Sequence, residues 1–244
     1  MRYVAAGALL QILLLTACGN QPDSTAVAPD APVAPTAIAT SQAGTTPTPT
    51  ASVAGKPRLI LAFGDSLYAG YGLERGQSLP DAVQARLRKD GIDATVINAG
   101  VSGDTTAAGR RRLAFALDNL PRAPDLVLLG LGGNDVLRQI TPSETRANMV
   151  AMLDELRRRK ISVLLTGMQA PPNLGPEFVA AVNRIWPDLA AKYDAELYPF
   201  ILDGVITDPA LMQRDGIHPT AAGVARMADG IAPLAIKALP SKAP

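Results

Sequence analysis

A serine and a histidine stand far apart in this chain, each within a short polar segment of the kind that supports nucleophilic chemistry. Ser66 lies in Gly64-Asp65-Ser66-Leu67, directly after an apolar run, and His218 lies in Asp215-Gly216-Ile217-His218. His218 is the only histidine among the 244 residues. A serine hydroxyl attacks a carbonyl carbon when an imidazole accepts its proton and a carboxylate orients that imidazole. The segments predict Ser66 as nucleophile, His218 as general base and Asp215 as the carboxylate; the alternative is that Asp215 only caps the following helix.

Two glycine-containing turns could supply the hydrogen-bond donors that the negatively charged oxygen in such a reaction requires. Ser102-Gly103-Asp104-Thr105 offers the backbone N–H of Gly103, and Gly132-Gly133-Asn134-Asp135 offers the carboxamide of Asn134. The N–H of Ser66 would complete the set. Each turn could instead serve only to give the chain positive φ after a strand. The occurrence of four such segments in one chain, all at predicted loop positions, favours the catalytic interpretation.

Apolar runs alternate with helical patterns along the part of the chain that carries these segments. Continuous apolar strands separated by helices are typical of a parallel sheet that is covered on both faces. The carboxyl ends of parallel strands share one edge of the sheet, and ligands bind in the crevice there. Three of the four polar segments follow predicted strands, so the pattern brings them to a common crevice. The predicted strands are Leu59 to Phe63, Ala94 to Ile97, Leu126 to Leu131, Ile161 to Leu165 and Glu196 to Tyr198.

Capping residues mark the boundaries of the predicted helices. Ser78 precedes an apolar stripe and has Asp81 three residues later, which predicts an N-cap with an acidic partner. The segment Thr141-Pro142-Ser143-Glu144 predicts a capping box with proline at the first helical position. A final helix is predicted to begin at Pro219, and Pro233 is expected to kink or end it.

The first residues of the chain predict export. Arg2 precedes an apolar stretch from Val4 to Leu15, which is too short to span a membrane but fits the apolar region of a secretory signal. The segment Leu15-Thr16-Ala17-Cys18 resembles a bacterial lipobox, which implies a lipidated Cys18 at the mature N-terminus. Because Gly19 follows the cysteine, the resemblance implies sorting to the outer membrane, facing the periplasm. The alternative is a conventional signal peptide with an incidental cysteine.

The segment after the cysteine has the composition of a tether. Residues 19–56 are mostly Ala, Pro, Thr, Ser and Val and include no aromatic residue, so we expect them to form no core. We therefore predict a lipoprotein signal peptide at residues 1–17, a lipidated cysteine with a disordered tether at residues 18–56, and one catalytic domain at residues 57–244. We expect the protein to be a monomer.

Charge and cysteine content exclude some classes of protein. The chain has 23 Lys and Arg against 22 Asp and Glu, a net charge of +1, so we expect no extended basic surface for nucleic acid. Its single cysteine excludes a disulfide within the chain. The basic run Arg110-Arg111-Arg112 is interpreted as a solvated helix face, with contact to an anionic substrate headgroup as the alternative.

The four polar segments resemble the sequence blocks of the SGNH hydrolases, also called GDSL esterases and lipases, which are named for a Ser, a Gly, an Asn and a His. Every block residue is present. The resemblance implies Ser66 as nucleophile, Gly103 and Asn134 as oxyanion donors, and Asp215 and His218 as the rest of a triad. It also implies a three-layer α/β/α sandwich with a flavodoxin-like, five-stranded parallel sheet, and no metal or organic cofactor.

Three longer segments look like one branch of that family, the bacterial arylesterases, acyl-thioesterases and lysophospholipases: Asn98 to Thr105, Leu131 to Asp135 and Asp215 to Pro219. The resemblance implies a serine ester hydrolase for short- to medium-chain acyl esters, with thioesters and lysophospholipids as further substrates. Alternatives are an envelope polysaccharide O-deacetylase and a non-catalytic lipoprotein that binds lipid or partners. The predicted anchor departs from this branch, whose best-known members are soluble periplasmic enzymes. We expect the segment from Gln169 to Phe178 to form the rim of the acyl pocket.

Overall fold

A five-stranded parallel sheet forms the centre of the computed structural model, which describes residues 56–241. The strands lie in the order β2-β1-β3-β4-β5, and every neighbouring pair is parallel. The predicted signal peptide, Cys18 and the tether up to residue 55 lie outside the described residues. The strands are β1 (Arg58–Gly64), β2 (Ala94–Gly100), β3 (Leu126–Gly130), β4 (Ser162–Thr166) and β5 (Glu196–Tyr198).

All five predicted strands are present, and only their ends differ from the prediction. The second strand continues to Gly100 rather than stopping at Ile97, because the added residues pair with β1 as far as Gly64. The fourth strand begins at Ser162 and ends at Thr166, one residue later than predicted at each end. These extra residues bring the carboxyl ends of the strands level with one another, at the edge where the polar segments begin.

Helices cover both faces of the sheet and confirm the predicted three-layer α/β/α sandwich. Ile60 and Ala62 of β1 pack against α1, α2 and α8, whereas Leu61 and Phe63 face the layer formed by α3 to α7. The helices are α1 (Ser66–Ala69), α2 (Leu79–Lys89), α3 (Thr106–Asp118), α4 (Gly133–Leu137), α5 (Pro142–Arg158), α6 (Pro176–Asn183), α7 (Ile185–Tyr193) and α8 (Ala221–Ala238).

Both predicted helix caps are observed, with one difference in detail. At the start of α2, Ser78 and Asp81 bond reciprocally to one another's backbone N–H groups and form a full capping box. At the start of α5, the hydroxyl of Thr141 accepts the N–H of Glu144 at 3.3 Å. Among the described residues this second cap is one-sided, so the predicted capping box at Thr141 is an ordinary N-cap.

The last helix begins two residues later than predicted and does not end at Pro233. It begins at Ala221 with Thr220 as N-cap, because Pro219 forms an isolated antiparallel bridge with Met212 instead. It also runs past Pro233 to its end at Ala238. A proline inside a helix removes one backbone hydrogen bond, but buried residues on either side, Ile231 and Ala235, hold this helix against the sheet.

Within residues 56–241, no helix combines the length and the apolar character that crossing a membrane requires.

Candidate active site

Ser66 is the first residue of α1 and lies directly beyond the carboxyl end of β1. The Asp65 carboxylate caps this short helix by accepting the N–H of Leu67 at 3.1 Å. The strand that follows β1 in the chain, β2, lies on one side of β1, and the next strand, β3, lies on the other side. The topological switch point of the sheet is therefore between β1 and β3. Open α/β sheets bind ligands at this position, and Ser66 stands at its edge.

Ser66, His218 and Asp215 form a continuous hydrogen-bonded row. Ser66 Oγ is 2.9 Å from His218 Nε2, and His218 Nδ1 is 2.6 Å from Asp215 Oδ2. A carboxylate only accepts hydrogen bonds, so the proton of the neutral imidazole belongs on Nδ1 and Nε2 is free to accept from the serine. The structure thus brings together three residues that the sequence separates by up to 152 positions.

The Asp215 carboxylate is fixed by its own turn. Its Oδ1 atom accepts the backbone N–H of His218 at 3.0 Å and that of Ile217 at 2.9 Å. The His218 N–H, followed by the His218 ring and the Ile217 N–H, lowers the pKa of Asp215 to about 2. Asp215 therefore carries a full negative charge at neutral pH, where it can stabilise an imidazolium.

An aromatic ring and an amide hold the loop that carries His218. The Tyr71 ring lies against the imidazole with its centroid 4.4 Å away and the two planes tilted by 34°. Gln213 Nε2 donates to the carbonyls of Tyr71 at 2.8 Å and Pro219 at 2.9 Å, and the Gln213 N–H donates to the His218 carbonyl at 2.8 Å. These contacts join the segment after α1 to the histidine loop.

Two oxyanion-donor candidates meet at residues 102–105, here called the oxyanion loop. Gly103 has φ +84°, a conformation that favours glycine, and its carbonyl accepts a hydrogen bond from Arg138 Nη2 at 3.0 Å. Asn134 Nδ2 donates to the carbonyl of Asp104 at 3.0 Å. This bond uses one amide hydrogen and fixes the orientation of the carboxamide, so the second hydrogen is available to a substrate. Gly103, Asn134 and Ser66 all line one cavity.

A buried carboxylate that sequence reasoning did not single out supports this arrangement. Asp135 is 1% exposed and accepts the Thr106 N–H at 2.8 Å, the Thr106 hydroxyl, and the Thr145 hydroxyl at 3.1 Å. The carboxylate therefore joins α4 to the first turns of α3 and α5. Because Asp135 follows Asn134 directly, this network fixes the backbone from which the Asn134 carboxamide projects.

Asp65 is a second buried acid, directly before Ser66 in the chain. It is 3% exposed, and burial away from water raises its pKa to about 6, although the Leu67 N–H and the charge of His218 act in the opposite direction. The hydrogen bond from Leu67 satisfies one carboxylate oxygen. Sequence reasoning used Asp65 only as part of the Ser66 segment and did not foresee its burial, which depends on contacts far away in the chain.

The cavity beside Ser66 has a volume of about 660 Å³ and a predominantly apolar lining. This volume lies within the range of small-molecule binding sites, roughly 300–1,000 Å³. Its polar groups are concentrated at the oxyanion loop and the triad, so a ligand carbonyl would lie there and an apolar chain would extend away. The apolar walls include Met168, Ala170, Pro171, Leu202, Ile206 and Ile217.

The predicted pocket rim forms only in its first part. Residues 169–172 line the cavity, whereas Leu174 and Phe178 pack against the core on the side of α3 to α7. A second wall, including Leu202 and Ile206, comes from the segment between β5 and α8, which the sequence analysis did not assign.

The basic run on α3 differs from both of its interpretations at one residue. Arg111 is exposed, as a solvated face requires, and Arg110 donates to Asn148 Oδ1 at 3.4 Å. Arg112 instead points beneath the oxyanion loop and binds Asp104 together with two strand carbonyls. Its side chain is only 23% exposed, so it is not part of the solvated face, and it is not among the residues that line the cavity beside Ser66.

Residues 56–241 contain no group of three or more His, Cys, Asp or Glu side chains placed to hold a metal ion.

The sequence of this chain is similar to those of known hydrolases. The model of the GDSL-like Lipase/Acylhydrolase family matches residues 62–226. The chain is 40% identical over 174 residues to esterase TesA of Pseudomonas aeruginosa, covering 71% of this chain and 86% of that protein. It is 35% identical over 160 residues to thioesterase 1/protease 1/lysophospholipase L1 of Escherichia coli K12, covering 66% of this chain and 74% of that protein.

A solved structure agrees with these sequence relatives. The crystal structure of AlinE4, an SGNH-hydrolase family esterase, is 52% identical to this chain and superposes with a TM-score of 0.65. The match covers 77% of this chain and 99% of AlinE4. The similarity thus spans nearly the whole of AlinE4, and the family match over residues 62–226 includes all four polar segments.

Proposed function

Because this chain belongs to the GDSL-like lipase/acylhydrolase family and is a serine ester hydrolase, we propose that Ser66 is its nucleophile, His218 its general base and acid, and Asp215 the carboxylate that orients the base. The observation that carries this assignment is the row of hydrogen bonds, 2.9 Å from Ser66 Oγ to His218 Nε2 and 2.6 Å from His218 Nδ1 to Asp215 Oδ2. A nucleophile within hydrogen-bond reach of a base that is itself oriented by a third group is the signature of this chemistry.

The reaction forms and hydrolyses an acyl-enzyme. Ser66 Oγ attacks the substrate carbonyl carbon while its proton passes to His218 Nε2, and the negative charge of Asp215 stabilises the imidazolium. The tetrahedral intermediate collapses as the imidazolium gives this proton to the departing alkoxide or thiolate. Water then attacks the acyl-enzyme with His218 as base, and a second collapse releases the acid and restores the Ser66 hydroxyl.

The oxyanion hole of this proposal contains three donors. They are the second amide hydrogen of Asn134, the N–H of Gly103 and the N–H of Ser66. Asn134 is held by its bond to the Asp104 carbonyl, so its free hydrogen needs little reorganisation when charge develops on the substrate oxygen. The position of Gly103 in the lining of the cavity, together with Ser66 and Asn134, supports its assignment.

The cavity supports short- to medium-chain acyl groups as the preferred substrates, on oxygen esters, thioesters or lysophospholipids. Its walls are apolar where an acyl chain would lie, and burial of each methylene there contributes about 0.8 kcal/mol. An O-acetylated polysaccharide would gain little from such walls, so a deacetylase is the alternative outcome of the substrate panel described below. We also propose that the enzyme is a monomer: one chain supplies every member of the site, so catalysis requires no partner copy. Light scattering of the purified enzyme tests the oligomeric state.

The test compares wild type, Ser66→Ala and Ser143→Ala on p-nitrophenyl esters from acetyl to palmitoyl, an acyl-thioester, a lysophospholipid and an O-acetylated sugar. Ser143 is exposed on α5 and serves as the matched control. We expect Ser66→Ala to lose turnover by at least about a thousandfold, with Ser143→Ala unchanged, because the covalent route disappears. Labelling by a phosphonate ester should modify only Ser66. Turnover that persists in purified Ser66→Ala would refute the nucleophile assignment, and a preference for the sugar acetate would favour the deacetylase.

We also propose that the protein is exported and anchored by a lipid through residues that lie outside the described part of the chain. The lipobox-like Leu15-Thr16-Ala17-Cys18 supports lipidation of Cys18, and Gly19 supports delivery to the outer membrane with the enzyme facing the periplasm. In a diderm host, Cys18→Ser should leave the membrane fraction and Gly19→Asp should move to the inner membrane. Membrane association of Cys18→Ser would contradict the lipidation proposal.

A further inference from the structure

A guanidinium that the mechanism above does not use joins two strand ends to the oxyanion loop. Arg112 Nε donates to Asp104 Oδ2 at 2.6 Å, Nη1 to the Ala99 carbonyl at 2.9 Å, and Nη2 to the Gly64 carbonyl at 2.9 Å. The group also lies 3.9 Å from the centroid of the Phe63 ring. The Arg112 side chain is only 23% exposed. Three directional bonds and a stacking contact fix it in one orientation.

Asp104 transmits this orientation to the oxyanion donors. Its side chain is held by Arg112, its N–H donates to the Val101 carbonyl at 3.1 Å, and its carbonyl accepts Asn134 Nδ2 at 3.0 Å. Asp104 also follows Gly103 directly, so the peptide between them moves whenever the aspartate moves. A displaced Asp104 would therefore disturb both the Gly103 backbone and the direction of the Asn134 carboxamide.

The other end of the contact lies on the strand that leads to the nucleophile. The Gly64 carbonyl, two residues before Ser66, accepts Arg112 Nη2 at 2.9 Å and the Val101 N–H at 3.0 Å. The guanidinium and this backbone bond together set the distance between the end of β1 and the oxyanion loop. That distance determines where the donors stand relative to Ser66 Oγ.

We propose that Arg112 is a positioning residue for the hydrolytic reaction: through Asp104 it holds the Gly103 and Asn134 donors at the place where negative charge develops. This proposal rests on the proposed function of the site. Oxyanion donors act within about 2.7–3.1 Å of the transition-state oxygen, so a small displacement of the loop lowers kcat. The apolar walls on which an acyl chain would lie come from segments other than the oxyanion loop, so KM should change little.

The first experiment measures kcat and KM for Arg112→Met, Arg112→Lys and Arg111→Met in the full-length enzyme. Arg111→Met is the matched control, because it changes the adjacent, exposed arginine of the same helix. We expect Arg112→Met to lower kcat by about 30- to 100-fold with KM within about twofold, approaching the loss that follows removal of one oxyanion donor. Arg112→Lys should recover only part of this loss, because an ammonium group cannot reproduce the planar fork. Arg111→Met should match wild type.

A double-mutant cycle with Asn134→Ala separates positioning from general stability. If Arg112 acts through the oxyanion donors, Arg112→Met should cost several-fold less in kcat in the Asn134→Ala background than in wild type, because only its effect on the Gly103 donor remains there and residues that act as a unit are not additive. Asp104→Asn supplies a second, milder variant should Arg112→Met fold poorly; it keeps an acceptor for Arg112 but removes the charge. We expect it to lower kcat by about tenfold, with the same dependence on Asn134.

Equal fold losses for Arg112→Met in the two backgrounds would overturn the proposal, as would a change in KM alone. A loss of kcat that follows the fraction of folded enzyme, measured by the fluorescence of the single tryptophan, would also overturn it. Failure of the proposed function is seen separately, as turnover that persists in Ser66→Ala.

Discussion

The hydroxyl of Tyr68 and the hydroxyl of Thr166 are hydrogen-bonded at 2.9 Å, which ties the helix that begins with Ser66 to the end of the fourth strand. Both side chains are buried, and the Tyr68 ring occupies space that a Cβ on Gly64 or Gly130 would enter. The ends of β1 and β3 must therefore be glycine so that the tyrosine ring fits against them. Burial also raises the pKa of Tyr68 well above its ordinary value, so the phenol stays neutral.

Breaking this pair should destabilise the fold more than removing both partners. In Tyr68→Phe the Thr166 hydroxyl remains buried without a partner, at a cost of about 1–3 kcal/mol. The double variant Tyr68→Phe/Thr166→Val removes both groups and should recover part of that loss. Urea unfolding followed by Trp186 fluorescence measures each free energy of unfolding, and strictly additive losses would contradict the expected coupling.

Replacing the proposed triad carboxylate, Asp215, by an amide should inactivate the enzyme while the turn from Asp215 to His218 stays folded. In Asp215→Asn the amide oxygen can still accept the N–H groups of Ile217 and His218, whereas its NH₂ group would face Nδ1 and favour the wrong imidazole tautomer. We expect kcat to fall by about 10³- to 10⁴-fold with the melting temperature nearly unchanged. Asp215→Ala, which also loses the turn contacts, is the comparison. A tenfold loss or less in Asp215→Asn would remove the carboxylate from the mechanism.

The buried carboxyl of Asp65, beside Ser66, should make the stability of the fold depend on pH in a defined direction. Burial raises the pKa of Asp65 in the folded protein from 3.8 to about 6, so the folded state binds the proton more tightly than the unfolded state. Ionisation therefore costs stability: the penalty grows as pH rises from 3.8 to about 6 and is complete above it.

Asp65→Asn removes that penalty while an amide oxygen can still accept the Leu67 N–H. The free energy of unfolding of the variant, relative to wild type, should increase between pH 4 and pH 7 by about 2–3 kcal/mol, from roughly 1.4 kcal/mol per pKa unit. Urea denaturation of both proteins at each pH measures the difference, in which contributions from other groups cancel. A difference that does not change with pH would show that Asp65 ionises alike in both states.

Replacing Gly132, which precedes α4, should destabilise the fold for two reasons that can be measured separately: backbone strain and a collision with Trp186. Gly132 has φ +117°, and a Cβ there would lie 2.5 Å from Trp186 Cζ2. Gly91 has φ +85° with no atom within 4 Å of a Cβ, so Gly91→Ala measures backbone strain alone. We expect Gly91→Ala to cost about 1 kcal/mol of stability with full activity.

Gly132→Ala should cost several times more, alter the fluorescence of Trp186, and lower kcat because the collision displaces the turn that presents Asn134. Core collisions of this kind cost about 1–3 kcal/mol in addition to the strain. Equal losses of stability in the two variants would mean that the Trp186 side chain moves aside at no energetic cost and does not restrain the turn.

Local sequence signals determined the elements and most of the site. The apolar run before Ser66, the caps at Ser78 and Thr141 and the single histidine are each legible within a few residues, because strand periodicity and capping depend on nearby atoms. Helix ends were less certain wherever distant contacts compete with local preference, as Pro233 shows. The four polar segments were assigned to one crevice because parallel strands end at the same edge.

Only the tertiary structure decided how those segments are held and which charges are buried. Arg112 belongs to a basic run that looks solvated, yet its partners stand 8, 13 and 48 residues away and meet it only beneath the oxyanion loop. Aspartate is a residue type that usually lies on the surface, but the packing around α1 excludes water from Asp65. Burial and ion pairing depend on the three-dimensional distances between distant residues. No local pattern encodes those distances, so the residues that position the site became visible only in the folded chain.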